Sequence, residues 1–522
     1  MKLSFYSFFF LFVSGSIGCN SSNSSAVSVI QGDSKTTDAY RPAYHFTADS
    51  NWINDPNGLV FHNGEYHLFY QHNPYGAKWG HMSWGHSVSR DLIHWKTLPV
   101  AMYEDKNPND NDTTMIFSGS AVIDKNNTSS FANGSQKAPL VAVYTSFVHN
   151  KFKPKVQHQS VAYSNDDGFT WTKYAGNPVV DIQSLEFRDP KVFWYEPQQK
   201  WVMVVLKAEQ REAQFYSSKN LKDWTLMSSW GRVGNTARVW ECPDLVELSV
   251  KGTNEKKWVF IVSAGHAQDG YVGMQYFVGN FDGTSFSPDH DYKQPTYLDF
   301  GKDFYAAVTY NNAPNDRKIL VAWMNNWEYA NDIPTGSVWR GTYAIPRELS
   351  LVTVNSELKL IQQPVAELNA LKQEAFSLAD KTVEENFDIP YKGDAYQVEL
   401  VIEPGDAKAA GIKILKGKNE ETVIKYDNVA KQLQLDRTKS GNVNFHAKFA
   451  SIEKAPVSLQ NGLIKLNLLV DRSVVEIFAN DGLATISDLV FPLEKEGGIQ
   501  LFSEGGKANF QSVKIWRMKA VK

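Results

Sequence analysis

Cysteine is nearly missing from this chain: Cys19 and Cys242 are the only two in 522 residues. A disulfide-stapled small fold is therefore excluded, and stability must come from core size. A basic surplus is missing as well. The formal charge of −4 leaves no broad basic surface for phosphate backbones, which excludes nucleic acid as a partner. The 12 histidines, His81 and His86 among them, lack the spaced ligand pattern of a zinc protease, so no catalytic metal is read from the chain and no cofactor is implied. Amphipathic helical stretches are almost absent from Tyr44 to about Glu348, which argues against a helical fold.

At the amino terminus the apolar run from Leu3 to Val13 is shorter than the roughly 20 residues a membrane-spanning helix needs, so it reads as an export signal. Ser16-Ile17-Gly18-Cys19 resembles a bacterial lipoprotein processing site, with Ser16 in the place usually held by Leu. On that reading residues 1–19 are a lipoprotein-type signal with Cys19 the lipid attachment, and 20–40 are a flexible polar tether that has nothing to bury. The expected location is the bacterial cell surface or the periplasmic face of the outer membrane, with the membrane reached only through the lipid. The alternative is a chain secreted without an anchor.

What the chain has in quantity is aromatic residues: 15 Trp, 23 Tyr and 30 Phe. Such rings stack on the apolar faces of sugars, although in a β-rich protein most of them belong to the core. Short aromatic-rich strands broken by Gly, Asn, Asp and Pro fill the first part of the chain. A repeat runs through them. Asp91 to Trp95, Asp167 to Trp171, Asn220 to Trp224 and Asp282 to Phe286 each place a large aromatic four positions after a turn residue, as the blades of a β-propeller would. The expected order is an all-β catalytic propeller over 41–362, a helical-looking linker over 363–380 and a β-sandwich over 381–522, whose segments at Tyr396, Leu463 and Val474 alternate or cluster apolar residues.

Three acidic residues stand in unusual settings: Asp55 in Trp52-Ile53-Asn54-Asp55-Pro56-Asn57-Gly58, Asp189 in Phe187-Arg188-Asp189-Pro190, and Glu241 in Trp240-Glu241-Cys242-Pro243. Hydrolysing a glycosidic bond with retention needs a carboxylate nucleophile and a second carboxyl that first protonates the leaving oxygen and then deprotonates water. Asp55, read as a strand-to-turn residue among polar amides and solvent, suits the nucleophile. Glu241, between Trp240, Cys242 and Pro243, suits the acid/base, because apolar bulk disfavours its charged form. Asp189 should stay ionised beside Arg188 and stabilise a developing glycosyl cation. Read singly, each of the three fits a turn or a structural ion pair better than a catalytic role.

These motifs, with Phe117-Ser118-Gly119-Ser120, Trp323-Met324-Asn325-Asn326-Trp327 and Pro346-Arg347-Glu348-Leu349, stand in an order that resembles glycoside hydrolase family 32, the invertase, inulinase and levanase group of β-fructosidases. The resemblance covers nearly everything after Tyr44. It implies a five-bladed β-propeller followed by a C-terminal β-sandwich, with Asp55 as nucleophile, Glu241 as acid/base and Asp189, with Arg188, as stabiliser. Asn54, Gln71, Trp79, Phe117, Ser118 and Trp323 are implied to line the pocket for a terminal fructose. Ile53 stands where the family commonly has Met, a volume-similar exchange. The implied substrate is a fructan or a fructo-oligosaccharide, attacked at its end; internal cleavage, transfer of fructose to another sugar, and a sugar-binding lipoprotein without chemistry are the competing readings. Cys242 as a thiol nucleophile lacks an identified partner His, and a small packed residue is the better reading.

Overall fold

The computed structural model describes residues 38–107, 111–135, 137–264 and 273–521. The signal segment, Cys19 and all but the last three residues of the tether lie outside the described residues. The first hairpin shows how local sequence sets the pattern. Strand Asn51–His62 turns at Asn63 and Gly64, both left-handed (φ 48° and 82°), and returns as Glu65–Asn73; these are the two positions that a tight hairpin matching strand twist requires.

Up to Pro364 the strands form five separate sheets, and the strands Asn51–His62, Thr113–Ile123, Phe187–Tyr195, Trp240–Ser249 and Tyr305–Thr309 belong to one each. These five lie side by side in a ring, each against the next and the last against the first, which makes the sheets the blades of a five-bladed propeller. The ring is closed by hydrogen bonds from Phe61 N–H to Asn311 O (3.0 Å) and from Asn311 N–H to Leu59 O (2.9 Å). Trp339 and Arg340, late in the domain, also pair with Asn51 and Trp52 at its start.

The turn repeat falls at the equivalent hairpin of four blades. Asp91, Asn220 and Asp282 each accept backbone N–H bonds from residues two and three positions on, while Trp95, Trp171 and Trp224 each donate an indole N–H to the carbonyl three residues back. In the second blade the capping acid is Asp166, which accepts from Thr170 N–H (2.9 Å), whereas Asp167 pairs with His62 and Lys137. The fifth blade carries no such turn because its outer hairpin closes in two residues, the left-handed Asn355 and Ser356.

The helix expected after Gln363 is corrected to a six-residue 3-10 turn, Ala366–Leu371, whose buried Leu368 and Leu371 imitate helical spacing. Lys372–Val383 is then already a strand of the sandwich. Two six-stranded sheets make up that second domain, and Tyr396, Leu400, Ile412, Leu433, Leu468 and Ile515 fill the space between them.

Buried charge joins the domains. Arg347 of the propeller reaches Glu476 of the sandwich and Asp299 (2.9 Å), and Asp299 accepts bonds from Ser487 N–H and Oγ. His45 lies between Asp471 (Nδ1 to Oδ2, 2.8 Å) and Glu476 (Nε2 to Oε1, 2.9 Å) with no exposure. Burial disfavours its charged form, yet the two carboxylates prevail and raise its pKa from 6.5 to about 9. A folded pKa above the unfolded one gives stability that is complete below the unfolded value and is lost as pH rises through the folded value. The melting temperature should therefore fall as pH climbs from 6.5 toward about 9, and His45→Asn should flatten that slope. Superimposable slopes for the two proteins in a calorimetric pH series would show that His45 is neutral in the fold.

Candidate active site

All five inner strands are bulged at one end of the ring. In three of them the pattern is the same: Arg188, Glu241 and Tyr305 are each followed by a left-handed residue, Asp189 (φ 64°), Cys242 (φ 50°) and Ala306 (φ 54°), and two residues then oppose one on the neighbouring strand. Pro190 and Pro243 sit inside these bulges, where no ladder donor is needed. The register also shifts across Asn54-Asp55 and across Phe117-Ser118. Asp55 is thus a bulge residue within a strand and not the strand-to-turn residue expected. The bulges turn side chains toward the ring axis that regular alternation would send elsewhere.

What meets there is a cluster of three carboxyls. Asp55 accepts bonds from Ser118 Oγ (2.6 Å) and Asn54 Nδ2 (3.0 Å), and the Cys242 thiol contacts its Oδ2 at 3.4 Å. Asn54 is itself oriented by the Trp52 indole N–H (2.7 Å). Asp189 accepts the backbone N–H of Cys242 (2.9 Å). Arg188 spans Glu186 and Glu241, donating Nη2 to Glu241 Oε1 at 3.1 Å, while Tyr305 donates its hydroxyl to Glu241 Oε2 at 2.6 Å. Equivalent positions of the third, fourth and fifth blades are thereby linked into one row. One layer deeper, the buried Lys191 meets Asp244 (3.1 Å), and Asp244 accepts Thr309 Oγ1 (2.8 Å), so the same three blades are tied again beneath their bulges.

Electrostatics differ from the expectation in two places. Asp55 is buried, and loss of water raises its pKa above the ordinary 3.8 despite its hydrogen bonds with Ser118 and Asn54, with the nearby Glu241 charge adding to the rise. Asp189 is pushed up to about 7, chiefly by burial and against the pull of Arg188, whose Nε stays 3.9 Å away. Arg188 is committed to Glu186 and Glu241 instead. The Glu241 carboxyl meets a guanidinium and a phenol, not the apolar enclosure expected from its sequence neighbours. Asp55 and Asp189 therefore hold a proton to higher pH than free carboxyls would. Burial also pushes the Cys242 thiol well above its usual range, which leaves it a packed, protonated donor.

The cluster opens into a cavity of about 510 Å³, within the range of small-molecule sites. Asn54, Asp55, Gln71, Trp79, Phe117, Ser118, Arg188, Asp189 and Glu241 all line it. Trp323 does not. It is fully buried, edge-on to Trp52 and tilted against Trp327, and Trp327, at 39% exposure, is the ring of this motif that lines the cavity. Sequence reasoning missed Trp327, Phe147, Gln157, Glu186, Val239 and Asn331 in the lining, and Tyr305 on Glu241. Trp327 closes a motif already singled out; Tyr305 has no flanking proline to mark its bulge.

Comparison with known proteins places this arrangement. The description "Glycosyl hydrolases family 32 N-terminal domain" matches residues 45–364, and "Glycosyl hydrolases family 32 C terminal" matches 366–517. The chain belongs to glycosyl hydrolase family 32. Family 32 relatives include the levanase of Bacillus subtilis (strain 168), 46% identical over 494 residues, covering 92% of this chain and 71% of that protein. The extracellular exo-inulinase of Aspergillus awamori is 41% identical over 512 residues, covering 92% of this chain and 94% of that one. The crystal structure of exo-inulinase from Aspergillus awamori superposes with a TM-score of 0.88 at 39% identity, covering 92% and 99% of the two chains. The fructofuranosidase of Schwanniomyces occidentalis complexed with fructose gives 0.83 at 32% identity, covering 93% and 99%. As a member of this family the chain is a glycoside hydrolase with the propeller and sandwich that its motifs imply.

Proposed function

We propose that this family 32 protein hydrolyses fructans with retained configuration through a fructosyl-enzyme formed on Asp55. The observation that carries the reading is the convergence of Asp55, Asp189 and Glu241 around Arg188 in a single pocket, in a chain whose relatives are a levanase and exo-inulinases. Asp55 attacks the anomeric carbon, held in aim by Ser118 and Asn54. Glu241 passes a proton to the leaving oxygen. Asp189 lies beside Asp55 and offers its carboxyl to the developing positive charge and to fructosyl hydroxyls. Glu241 then takes a proton from the water that releases fructose. Asp55→Ala and Glu241→Ala should each lower the hydrolytic rate at least about a thousandfold with circular dichroism unchanged. Near-normal turnover in either variant would remove that residue from its role.

Attack at the chain end is the better reading of the pocket. Trp79 N–H donates to Asn331 Oδ1 (3.1 Å), which ties a loop of the first blade to the segment that carries Trp327 and closes the rim on that side. Such a rim favours a pocket for one terminal ring over an open groove. Chromatography of the products from levan, inulin and sucrose should then show free fructose dominating from the earliest time points. Ladders of oligosaccharides with little fructose would establish internal cleavage instead.

Export and attachment through Cys19 complete the proposal. The processing-site resemblance at Ser16-Ile17-Gly18-Cys19 supports the anchor, and relatives described as extracellular support export. Among the described residues no helix is long and apolar enough to cross a membrane. Cys19→Ala should move the activity from the membrane fraction to the soluble fraction, and its continued sedimentation with membranes would point to another anchor.

A further inference from the structure

Two loops from neighbouring blades meet beside the pocket mouth. One joins Glu65–Asn73 to Ser83–Ser89 and carries Tyr75, Trp79 and His81; the other is the hairpin tip between Leu140–Asn150 and Lys153–Ser164 and carries Phe152. Their rings continue the pocket wall outward. Phe117 and Phe147, both in the lining, are 4.7 Å apart, Phe147 meets His149 at 5.3 Å, and His149 stacks on Phe152 at 5.2 Å and 8°. Phe152 then meets His81 at 6.2 Å, and His81 meets Tyr75 at 5.4 Å. The row begins buried and ends in solvent, with Phe152 54% and Tyr75 67% exposed.

A two-residue hairpin tip is a poor place for phenylalanine. Lys151 and Phe152 are both left-handed (φ 48° and 63°), where Asn-Gly is the fitting pair. His149 fixes the ring from below: its Nδ1 accepts the Phe152 N–H at 3.0 Å while its own ring stacks under it. His81, also left-handed (φ 52°), is pinned by Glu104 at 2.7 Å. The loops therefore display ordered aromatic faces next to a partly exposed imidazole, which suits a ligand with apolar ring faces edged by hydroxyls. Continuity decides the occupant. The row runs from the pocket lining at Phe117 and Phe147 out to solvent at Phe152 and Tyr75, so what lies along it is the remainder of the chain whose end ring fills the pocket.

We propose that Phe152, His81 and Tyr75 form a binding site for the sugar units beyond the scissile bond, giving the enzyme a preference for long fructan chains over short ones. The inference rests on the pocket being the place of fructan cleavage. Phe152→Gly removes the ring and suits the turn, so its melting temperature should equal or exceed that of the wild type. In Phe152→Gly and in Tyr75→Ala, kcat/KM on long-chain inulin or levan, divided by kcat/KM on the matching trisaccharide, should fall about three- to tenfold, the size expected for loss of one stacked ring. A wild type active on both substrates with the ratio unchanged in both variants would overturn this inference and leave the cleavage reading standing. A wild type that releases nothing from any fructan would remove both.

Discussion

Three carboxyl groups, those of Glu186, Asp189 and Glu241, face one guanidinium at the wall of the pocket. Arg188 is within reach of Glu186, Asp189 and Glu241, and Asp55 stands close enough to Glu241 and Asp189 for their charges to oppose one another. Full ionisation of such a group is costly where solvent cannot screen it. Burial and the neighbouring charges raise the pKa of both Asp55 and Asp189, and the mechanism proposed above requires a proton donor close to an attacking carboxylate.

Crowded like charges are useful only if they cannot move apart. The bulges fix each carboxyl to the backbone of a different blade, ring closure at Asn311 holds the blades together, and Lys191 with Asp244 and Thr309 repeats the link one layer below. The sandwich adds a second brace. Glu476 receives both Arg347 and His45, so the propeller's last blade and the segment entering its first strand are both tied to one carboxylate of the other domain. A preorganised charge cluster held on strands in this way needs little rearrangement during reaction.

Much of this was legible in the chain. The Asx turns of four blades announced themselves as a repeat because each blade solves the same problem, capping a hairpin with an acid or amide and an indole. The fifth escaped because a two-residue turn needs no cap. Asp55, Asp189 and Glu241 stood out through the prolines near them, and prolines in the middle of strands mark bulges. Tyr305 occupies the same place in its blade as Glu241 does in the fourth, but Ala306-Ala307 carries no such mark. Trp323 lies one layer behind the pocket and Trp327 lines it, a distinction hidden in the sequence because two tryptophans in one motif do not reveal which of them faces solvent. Side-chain direction misled at Arg188 as well: being next to Asp189 in sequence, it was assigned to that carboxylate, whereas the bulge turns it toward Glu241.

The central claim is that Asp55 forms a bond to the anomeric carbon, and stereochemistry tests it most directly. Proton NMR during the first minutes of hydrolysis, before released fructose equilibrates, should show the anomer with the configuration of the substrate. Release of the opposite anomer first would mean that water attacks directly, and it would contradict the fructosyl-enzyme at Asp55.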